Sequence, residues 1–376
     1  MPFSPSGPTR SARSARKQRA RRVTALTGVL AAGLMLAACS SSSSSSSAAA
    51  GKSGSADPPA SGSVNLSNVT LTFGFQTADN PALLKASGLF NNLPYKLVTP
   101  VISGPANQIA ALNSKAIDVG LVGENTAAFQ DANAATAWTA STAQVYEIAG
   151  YSPGASNPYP AGVYVTTKSG INSLAGLKGH SIAYNFGGNI YAAYVKALSQ
   201  GGLTVSEVTP EQFTDNQSAA NAFAAGHADA VVTSYADITP QVTSGQAKLL
   251  DTLPQLGVKG GAGFITRPDV LADPGKVAAL KDFFSRFSKL YSQWYPTHEA
   301  AVEQIYETVD HQSPAVAKIT YASTAPTRFY KIGDPTFVQD EQLIVDGAYK
   351  AKGVKNDYNV AVVFNPVFDP ETVPSS

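Results

Sequence analysis

The sequence predicts an α/β fold of two similar lobes that face each other across a cleft. The main observation is an internal repeat: residues 107–125 and 218–236 each read as an alanine-rich helix, an apolar strand led by aspartate and a polar loop. Residues 71–80 and 181–190, at almost the same offset, both read as strand, loop and helix. Chance similarity between two alanine-rich helices is the alternative. Open α/β sheets bind ligands where their strands end, so two facing copies predict a binding cleft.

The first 39 residues are predicted to be a signal peptide. Seven Lys and Arg residues precede an apolar stretch, residues 23–38, that is shorter than a typical membrane-spanning helix. It ends at Cys39, the only cysteine, so no disulfide can form within one molecule. The segment resembles a bacterial lipoprotein signal, which implies a lipid anchor at Cys39; an ordinary signal peptide with an incidental cysteine is the alternative. Residues 40–67, rich in Ser, Ala, Gly and Pro, are expected to form a flexible tether.

Charge and length exclude some functions. Of the 27 Lys and Arg residues, seven precede Cys39, whereas all 26 Asp and Glu residues follow it, so the remainder has a formal charge of −6. An acidic protein without a basic stripe is a poor candidate for binding nucleic acid or an anionic membrane surface. Roughly three hundred residues remain after the leader and the tether, which is enough for one large bilobed unit.

The first lobe is predicted to begin with three strand–helix units, which imply parallel strands joined by right-handed crossovers. Apolar runs bounded by turn residues mark the strands, and a Ser-Gly-Pro sequence marks the second helix start. Two β-rich segments follow, and we expect the second to leave this lobe. The predicted order is strand 70–75, helix 81–86, strand 95–100, helix 104–112, strand 119–122, a helix from residue 125, and strands 144–151 and 161–166.

The second lobe is predicted to repeat this pattern, and a glycine run then returns the chain to the first lobe. The amphipathic helices that follow carry aromatic residues that we expect to form core. The first lobe is predicted to comprise residues 68–165 and, after the return, residues 260–376. The second lobe is predicted to comprise residues 166–259, with hinges near 165–168 and 260–263. The remaining elements are strand 181–184, helix 190–199, strand 211–213, helix 218–225, strand 230–233, helix 238–243, strand 248–253, a strand ending at 267, and helices 276–294, 299–309, 315–322 and 335–350.

Five motifs in one order, with matching spacing, carry a resemblance to a known family. They are GPANQIAAL from Gly104, IDVGLVGE from Ile117, LAGLKGHSIA from Leu174, the pair Gly188-Asn189, and GGLTVSEVTP from Gly201. Residues 68–365 thereby resemble the solute-binding proteins of ABC importers for sulfonates, taurine and nitrate. The resemblance implies a two-lobed type II periplasmic-binding fold, each lobe a mostly parallel sheet flanked by helices, that delivers a small organic solute to a membrane permease.

The resemblance also implies a set of ligand-binding residues. Glycine lets a backbone N–H approach a ligand oxygen, Ser, Thr and Asn add donors, and a helix N-terminus favours a sulfonate or carboxylate. For Ser103 and Asn189, helix capping without a ligand is the alternative. The implied residues are Gln76, Thr77, Ser103, Gly104, Gly123, Glu124, Asn125, Gly188, Asn189, Tyr191 and Tyr235.

Some positions depart from the family pattern. Where many relatives carry Trp-Asp-Pro, this chain has Ser234-Tyr235-Ala236, followed by Asp237. If Glu124 or Asp237 faces the cleft, it would repel an anion and suit an ammonium or amide group. Sulfonates, taurine-like zwitterions, nitrate and nitrogenous heterocycles of the thiamine-precursor type therefore stay open. Arg328 is a candidate for a distant cationic contact, with a surface ion pair as the alternative.

Binding rather than catalysis is expected. The four histidines are scattered without metal-ligand spacing, and no Gly-x-Ser-x-Gly motif is present, so we expect no metal, no cofactor and no enzyme activity. The alternatives are a non-catalytic surface lipoprotein and an enzyme similar to those of thiamine-pyrimidine synthesis. We expect a monomer anchored through Cys39 on the outer face of the cytoplasmic membrane. Its lobes would close on a small solute, and the closed form would dock on an ABC permease.

Overall fold

The computed structural model describes residues 64–153 and 160–373, which form two mixed sheets flanked by helices. The predicted signal peptide, with Cys39, and all but the last residues of the predicted tether lie outside the described residues. The strands are β1 (Thr70–Gly74), β2 (Lys96–Val98), β3 (Val119–Gly123), β4 (Tyr146–Ser152), β5 (Gly162–Thr166), β6 (Ser181–Asn185), β7 (Thr209–Phe213), β8 (Ala230–Thr233), β9 (Ala247–Thr252), β10 (Ala262–Thr266) and β11 (Arg328–Tyr330).

The two sheets share one plan. The first has the strand order β11-β4-β10-β3-β1-β2, and the second has the order β7-β6-β8-β5-β9. Within each sheet, the strands joined by crossover helices are parallel: β2, β1 and β3 in the first, and β7, β6 and β8 in the second. The other strands pair antiparallel. The predicted α/β fold with flanking helices is confirmed, and most strands of each sheet share one direction. Except beside the edge strand β11, the antiparallel pairs arise where a strand that enters from the other lobe, β10 or β5, lies between two strands of that direction.

The internal repeat occupies equivalent places in the two sheets. In the first copy, the Asp118 backbone N–H donates to the carbonyl of Thr72 at 2.8 Å, and the Asp118 carboxylate accepts from the Thr72 N–H at 2.9 Å. In the second, the Asp229 N–H donates to the carbonyl of Ser181 at 3.1 Å, and its carboxylate accepts from the Ser181 N–H at 3.2 Å. The leading aspartate thus joins two adjacent strands in both copies, which explains its place in the repeat.

The helices follow the predicted positions closely, and side-chain caps fix several of their starts. Asp273 accepts hydrogen bonds from the backbone N–H groups of Gly275 and Lys276, at 2.8 and 3.1 Å, and Asp334 caps a later helix in the same way. The helices are α1 (Asp79–Ser87), α2 (Pro105–Asn113), α3 (Thr126–Ala132), α4 (Gly188–Gln200), α5 (Asn216–Ala224), α6 (Thr239–Thr243), α7 (Pro268–Leu271), α8 (Pro274–Lys289), α9 (Glu299–Val309), α10 (Pro314–Thr324), α11 (Pro335–Lys350) and α12 (Asp369–Thr372).

The chain passes between the sheets at two places. The first lies between Ser152, the end of β4, and Gly162, the start of β5. Strand β5 pairs with β8 and β9 in the second sheet, so the prediction that residues 161–166 close the first lobe, with a hinge at 165–168, is corrected. The second passage lies between β9 and β10, and Gly260 and Gly261 are part of it.

An aromatic core fixes the first sheet to α8. Phe73 stacks on Phe283 with ring centroids 4.3 Å apart, and Phe264 meets Phe284 edge-on at 5.1 Å. These rings are fully buried, as predicted for the aromatic face of this helix. Strand β11, which adds an edge to the first sheet beside β4, had not been predicted. Within residues 64–153 and 160–373, none of the helices has the length and apolar character needed to cross a bilayer.

Candidate ligand-binding cleft

A cavity of about 200 Å³ lies between the two sheets, where strands end and helices begin. Its first-lobe wall consists of Gln76, which follows β1, Pro105 at the start of α2 and Gly123 at the end of β3. This is the edge at which α/β sheets place their ligands. The remaining lining residues are Asn185, Gly187, Asn189, Ile190, Asn216 and Ser234 from the second lobe and Ala161, Leu253 and Gly260 from the segments that join the lobes.

Three helices begin at this cavity. Pro105, in the first turn of α2, lines it, as do Gly187 and Asn189 at the start of α4 and Asn216 at the start of α5. The first N–H groups of a helix have no partner within it, and the aligned peptide dipoles make that end partly positive. Three such ends around one cavity suit an anionic group, and no Lys or Arg is among the described lining residues of this cavity.

Glycine allows the two lobes to touch beside the cavity. A Cβ atom added to Gly123 would lie 2.7 Å from the backbone nitrogen of Asn189, and one added to Gly104 would lie 2.0 Å from the carbonyl oxygen of Thr214. The Asn189 side-chain amide donates to the carbonyl of Gly261 at 2.7 Å, so this residue connects α4 with the second passage between the lobes. The described arrangement is therefore one in which the two lobes are in contact.

The cavity also has polar oxygens without partners. The side-chain Oδ1 atoms of Asn185, Asn189 and Asn216 are buried and accept no hydrogen bond within the described part of the protein. Asn189 has a defined orientation, because its amide nitrogen is already used on Gly261. A buried acceptor without a donor costs about 1–3 kcal/mol, so these atoms favour a ligand that brings N–H or O–H groups.

A second cavity of about 700 Å³ adjoins the first. The two share four lining residues, Ala161, Ser234, Leu253 and Gly260. The larger one extends between Tyr235 of the second lobe and helix α10. The cleft is therefore a small polar end joined to a wider chamber.

The structure brings together several residues that the resemblance implied. Gln76, Gly123 and Asn189 line the smaller cavity, and Tyr235 lines the larger one. Gly104 and Gly188 lie at the contact between the lobes: a Cβ added to Gly188 would meet the Thr126 hydroxyl at 3.0 Å.

Two other implied residues bond locally outside the cavity walls. Thr77 is exposed, and its hydroxyl accepts a hydrogen bond from the Asn80 side chain at 3.0 Å. Ser103 is also exposed, and its carbonyl accepts from the side chain of Asn107 at 2.7 Å. Neither side chain is positioned by the described contacts to reach a ligand in either cavity.

The structure corrects the prediction for Glu124, Asn125 and Tyr191, which are buried and line neither cavity. The Asn125 amide donates to both carboxylate oxygens of Glu341 on α11, at 2.8 and 2.7 Å. The Tyr191 hydroxyl donates to the carbonyl of Gly353. These three residues hold the core together, because C-terminal segments absent from the repeat cover them.

Three glutamates are buried between the first sheet and α11: Glu124, Glu147 and Glu341. We call them the buried carboxylate layer. Burial, followed by the charges of the other two glutamates, raises the pKa of Glu147 well above its ordinary value, and neither Glu147 oxygen has a partner within the described structure. Burial also raises the pKa of Glu124, whose Oε2 accepts from the Tyr330 hydroxyl at 3.3 Å. Burial therefore disfavours the charged form of both carboxyl groups.

A family model described as NMT1/THI5 like matches residues 108–309, more than half of the chain. The chain belongs to the NMT1/THI5-like family. No match was found among curated protein sequences.

Solved structures give this NMT1/THI5-like chain the two-lobed fold of periplasmic binding proteins. It resembles the alkanesulfonate-binding protein SsuA from Xanthomonas axonopodis pv. citri bound to MOPS, with 22% identity, a TM-score of 0.64, and coverage of 79% of this chain and 98% of that one. It also resembles the periplasmic aliphatic sulphonate binding protein SsuA from Escherichia coli, with 19% identity, a TM-score of 0.62, and coverage of 79% and 92%. The two-lobed fold implied by the motifs is confirmed.

Some lining residues of this NMT1/THI5-like chain had not been predicted. Asn185 is the last residue of β6 and only 4% exposed, and Asn216 follows Asp215, whose side chain caps α5. A polar residue at the end of an apolar strand, and the residue after a cap, are signals in the sequence that could have identified both. Ser234, which departs from the family pattern, lines both cavities.

The remaining charged candidates lie outside the two cavities. Asp237 accepts a hydrogen bond from the Thr233 hydroxyl at 2.8 Å, and Arg328 is exposed on the edge strand β11. Among the residues that the structure describes, no group of three or more His, Cys, Asp or Glu side chains is arranged to hold a metal ion.

Proposed function

We propose that this protein is an extracytoplasmic solute-binding protein of an ABC importer. It captures a small organic anion or zwitterion, such as a sulfonate or taurine, between its two lobes and delivers it to the permease. The observation that carries this proposal is the cavity between the sheets at which α2, α4 and α5 begin. Two relatives of known structure are sulfonate-binding proteins, and this agrees with the chemistry of such a site.

The polar atoms of the cavity favour a zwitterion over a plain anion. Helix N-termini supply donors for the oxygens of a sulfonate. The unpartnered Oδ1 atoms of Asn185, Asn189 and Asn216 would accept from an ammonium group at the other end of the same ligand. A nitrogenous heterocycle would satisfy the same amide oxygens but leave the helix ends without an anion, so it is the second candidate.

The proposed mechanism is capture by closure. A solute that contacts Gln76 on one lobe and Asn189 on the other stabilises the arrangement in which the lobes touch. The segments with Ala161 and Gly260 would carry the movement, and the closed form would dock on the permease. We further propose that the protein acts as a monomer without catalysis or a cofactor. A lipid on Cys39 would hold it, through the tether, at the outer face of the cytoplasmic membrane.

Calorimetry with taurine tests this function. We expect the purified protein to bind taurine, and Asn189→Ala to weaken binding at least several-fold, because it removes a buried amide oxygen whose hydrogen bond is worth about 1–3 kcal/mol. Asn172→Ala is the matched control: Asn172 is exposed and lines neither cavity, so affinity should stay at the wild-type value.

Two outcomes would contradict the proposal. If a panel of taurine, simple alkanesulfonates and nitrate produced no heat and no rise in melting temperature, the ligand class would be wrong, since a binder gains about 2.7 kcal/mol at a hundredfold excess over its Kd. If taurine bound equally well to Asn189→Ala and to the wild type, the cavity would not be the binding site.

A further inference from the structure

The smaller cavity has room for only a small solute. Ligand pockets in proteins commonly measure about 300–1,000 Å³, whereas this cavity measures about 200 Å³. The adjoining cavity of about 700 Å³ borders it, because Ala161, Ser234, Leu253 and Gly260 line both. A ligand whose charged group lies in the smaller cavity can therefore extend into the larger one, which we call the α10 chamber.

One wall of the α10 chamber is a single face of helix α10. Its lining residues follow the spacing i, i+3, i+4, i+7 and i+8, which places them in one stripe on a helix. The stripe is apolar at its beginning and carries hydroxyl groups at its end. These residues are Val316, Ile319, Thr320, Ser323 and Thr324.

Helix α10 is not part of the region that defines the family. The family match ends at residue 309, and α10 begins at Pro314. Part of the stripe is held in place by a hydrogen bond from the Thr320 hydroxyl to the side-chain oxygen of Gln312, at 2.9 Å. The chamber wall thus lies outside the residues that the family model matches, at a place where it can contact a bound solute.

The charge of the chamber is balanced. Lys259 is a lining residue, but its ammonium group lies 2.5 Å from the carboxylate of Asp340. Opposite α10, the chamber is lined by the buried aromatic residue Tyr235 and by Leu253. The chamber therefore offers apolar groups, hydroxyls and a lysine that is paired with a carboxylate. Such a lining suits an uncharged organic group with one or two hydrogen-bonding atoms.

We infer that the solute has two parts. A sulfonate or similar anionic group occupies the smaller cavity, and an uncharged substituent of ring size occupies the α10 chamber, where Val316 and Ile319 select it. This inference rests on the proposed function and specifies its substrate class: substituted sulfonates rather than the smallest members of the class.

A matched pair of ligands tests the inference. Taurine and MOPS both carry a sulfonate and an amine, but the amine nitrogen of MOPS belongs to a morpholine ring, which is mostly uncharged at pH 8, where the titrations are done. By calorimetry, we expect the wild type to bind MOPS at least tenfold more tightly than taurine. Ile319→Trp should fill the chamber and abolish this preference, with taurine affinity unchanged. Lys318→Trp, on the exposed face of the same helix, should bind both ligands as the wild type does.

Val316→Phe provides a second test if the tryptophan variant does not fold. Like Ile319→Trp, it should reduce the preference for MOPS over taurine. Equal affinities of the wild type for the two ligands, or a preference for MOPS that survives both substitutions, would overturn the inference while the proposed function stands. A wild type that binds neither ligand would overturn the proposed function and, with it, this inference.

Discussion

The two copies of the internal repeat end in loops with different surroundings. The first, residues 123–125, continues into Glu124 and Asn125, which are fully buried. The second, residues 234–236, continues into Tyr235 and Ala236, which line the larger cavity. The strands that precede these loops are equivalent in the two sheets, yet only the second loop exposes its side chains to the cleft.

The C-terminal part of the chain causes this difference. Tyr330 of β11 donates to Glu124, and Glu341 of α11 accepts from Asn125, so two elements outside the repeat cover the first loop. In the described structure, the second loop instead lines the larger cavity. Equivalent positions in a duplicated fold therefore share a backbone role, whereas their side-chain role depends on what covers them.

The largest expected effect separates the two loops by stability. Asn125→Ala removes the side-chain amide that donates to both carboxyl oxygens of the buried Glu341, so we expect the free energy of unfolding to fall by about 2–4 kcal/mol. Affinity for taurine should not change. Urea unfolding and calorimetry measure the two quantities, and Asn221→Ala, at an exposed site on α5, is the control.

A weaker affinity for taurine in Asn125→Ala, with an unchanged free energy of unfolding, would contradict this separation of the two loops. In that case, the first loop would contact the ligand, as the family resemblance implied, and the bond to Glu341 would be secondary.

Periodicity was sufficient to predict most of the fold. Ten of the strands and the longer helices lie within a few residues of their predicted positions, because apolar runs and caps are local signals. Strand β11 was missed since it has only three residues, and β5 was placed in the wrong lobe. A strand's own residues do not indicate which sheet it joins.

The candidate site was predictable only where backbone geometry defines it. Gln76, Gly123 and Asn189 were identified because strand ends and helix starts converge by topology. Glu124 and Asn125 were misassigned because their burial depends on Tyr330 and Glu341, more than two hundred residues away in sequence. Such contacts leave no periodic signal.

A smaller effect concerns the pH dependence of the buried layer. Burial and the charges of Glu341 and Glu124 raise the pKa of Glu147 well above 4.5. Above that pH the unfolded chain releases a proton that the folded protein keeps, so stability is lost as pH rises towards the folded-state pKa. Glu147→Gln removes this loss. We expect its advantage over the wild type to grow by about 1.4 kcal/mol at most between pH 5 and pH 6.

Unfolding by urea at several pH values measures this advantage, with Glu299→Gln at the surface as control. A constant difference between Glu147→Gln and the wild type across this range would mean that Glu147 is charged in the folded protein. The first loop would then lie beside an anion, and the contrast with the second loop would need a different explanation.

The smallest expected effect belongs to the second loop. Ser234 lines both cavities and is half-buried, and its side chain caps no helix. Ser234→Ala should therefore leave the free energy of unfolding unchanged and weaken taurine binding by about 1 kcal/mol, the value of one hydrogen bond. Ser244→Ala, at an exposed position, should change neither quantity. A loss of stability without a loss of affinity would mean that Ser234, like Asn125, stabilises the fold and does not bind the ligand. The loops at the ends of the two repeat copies would then have the same role.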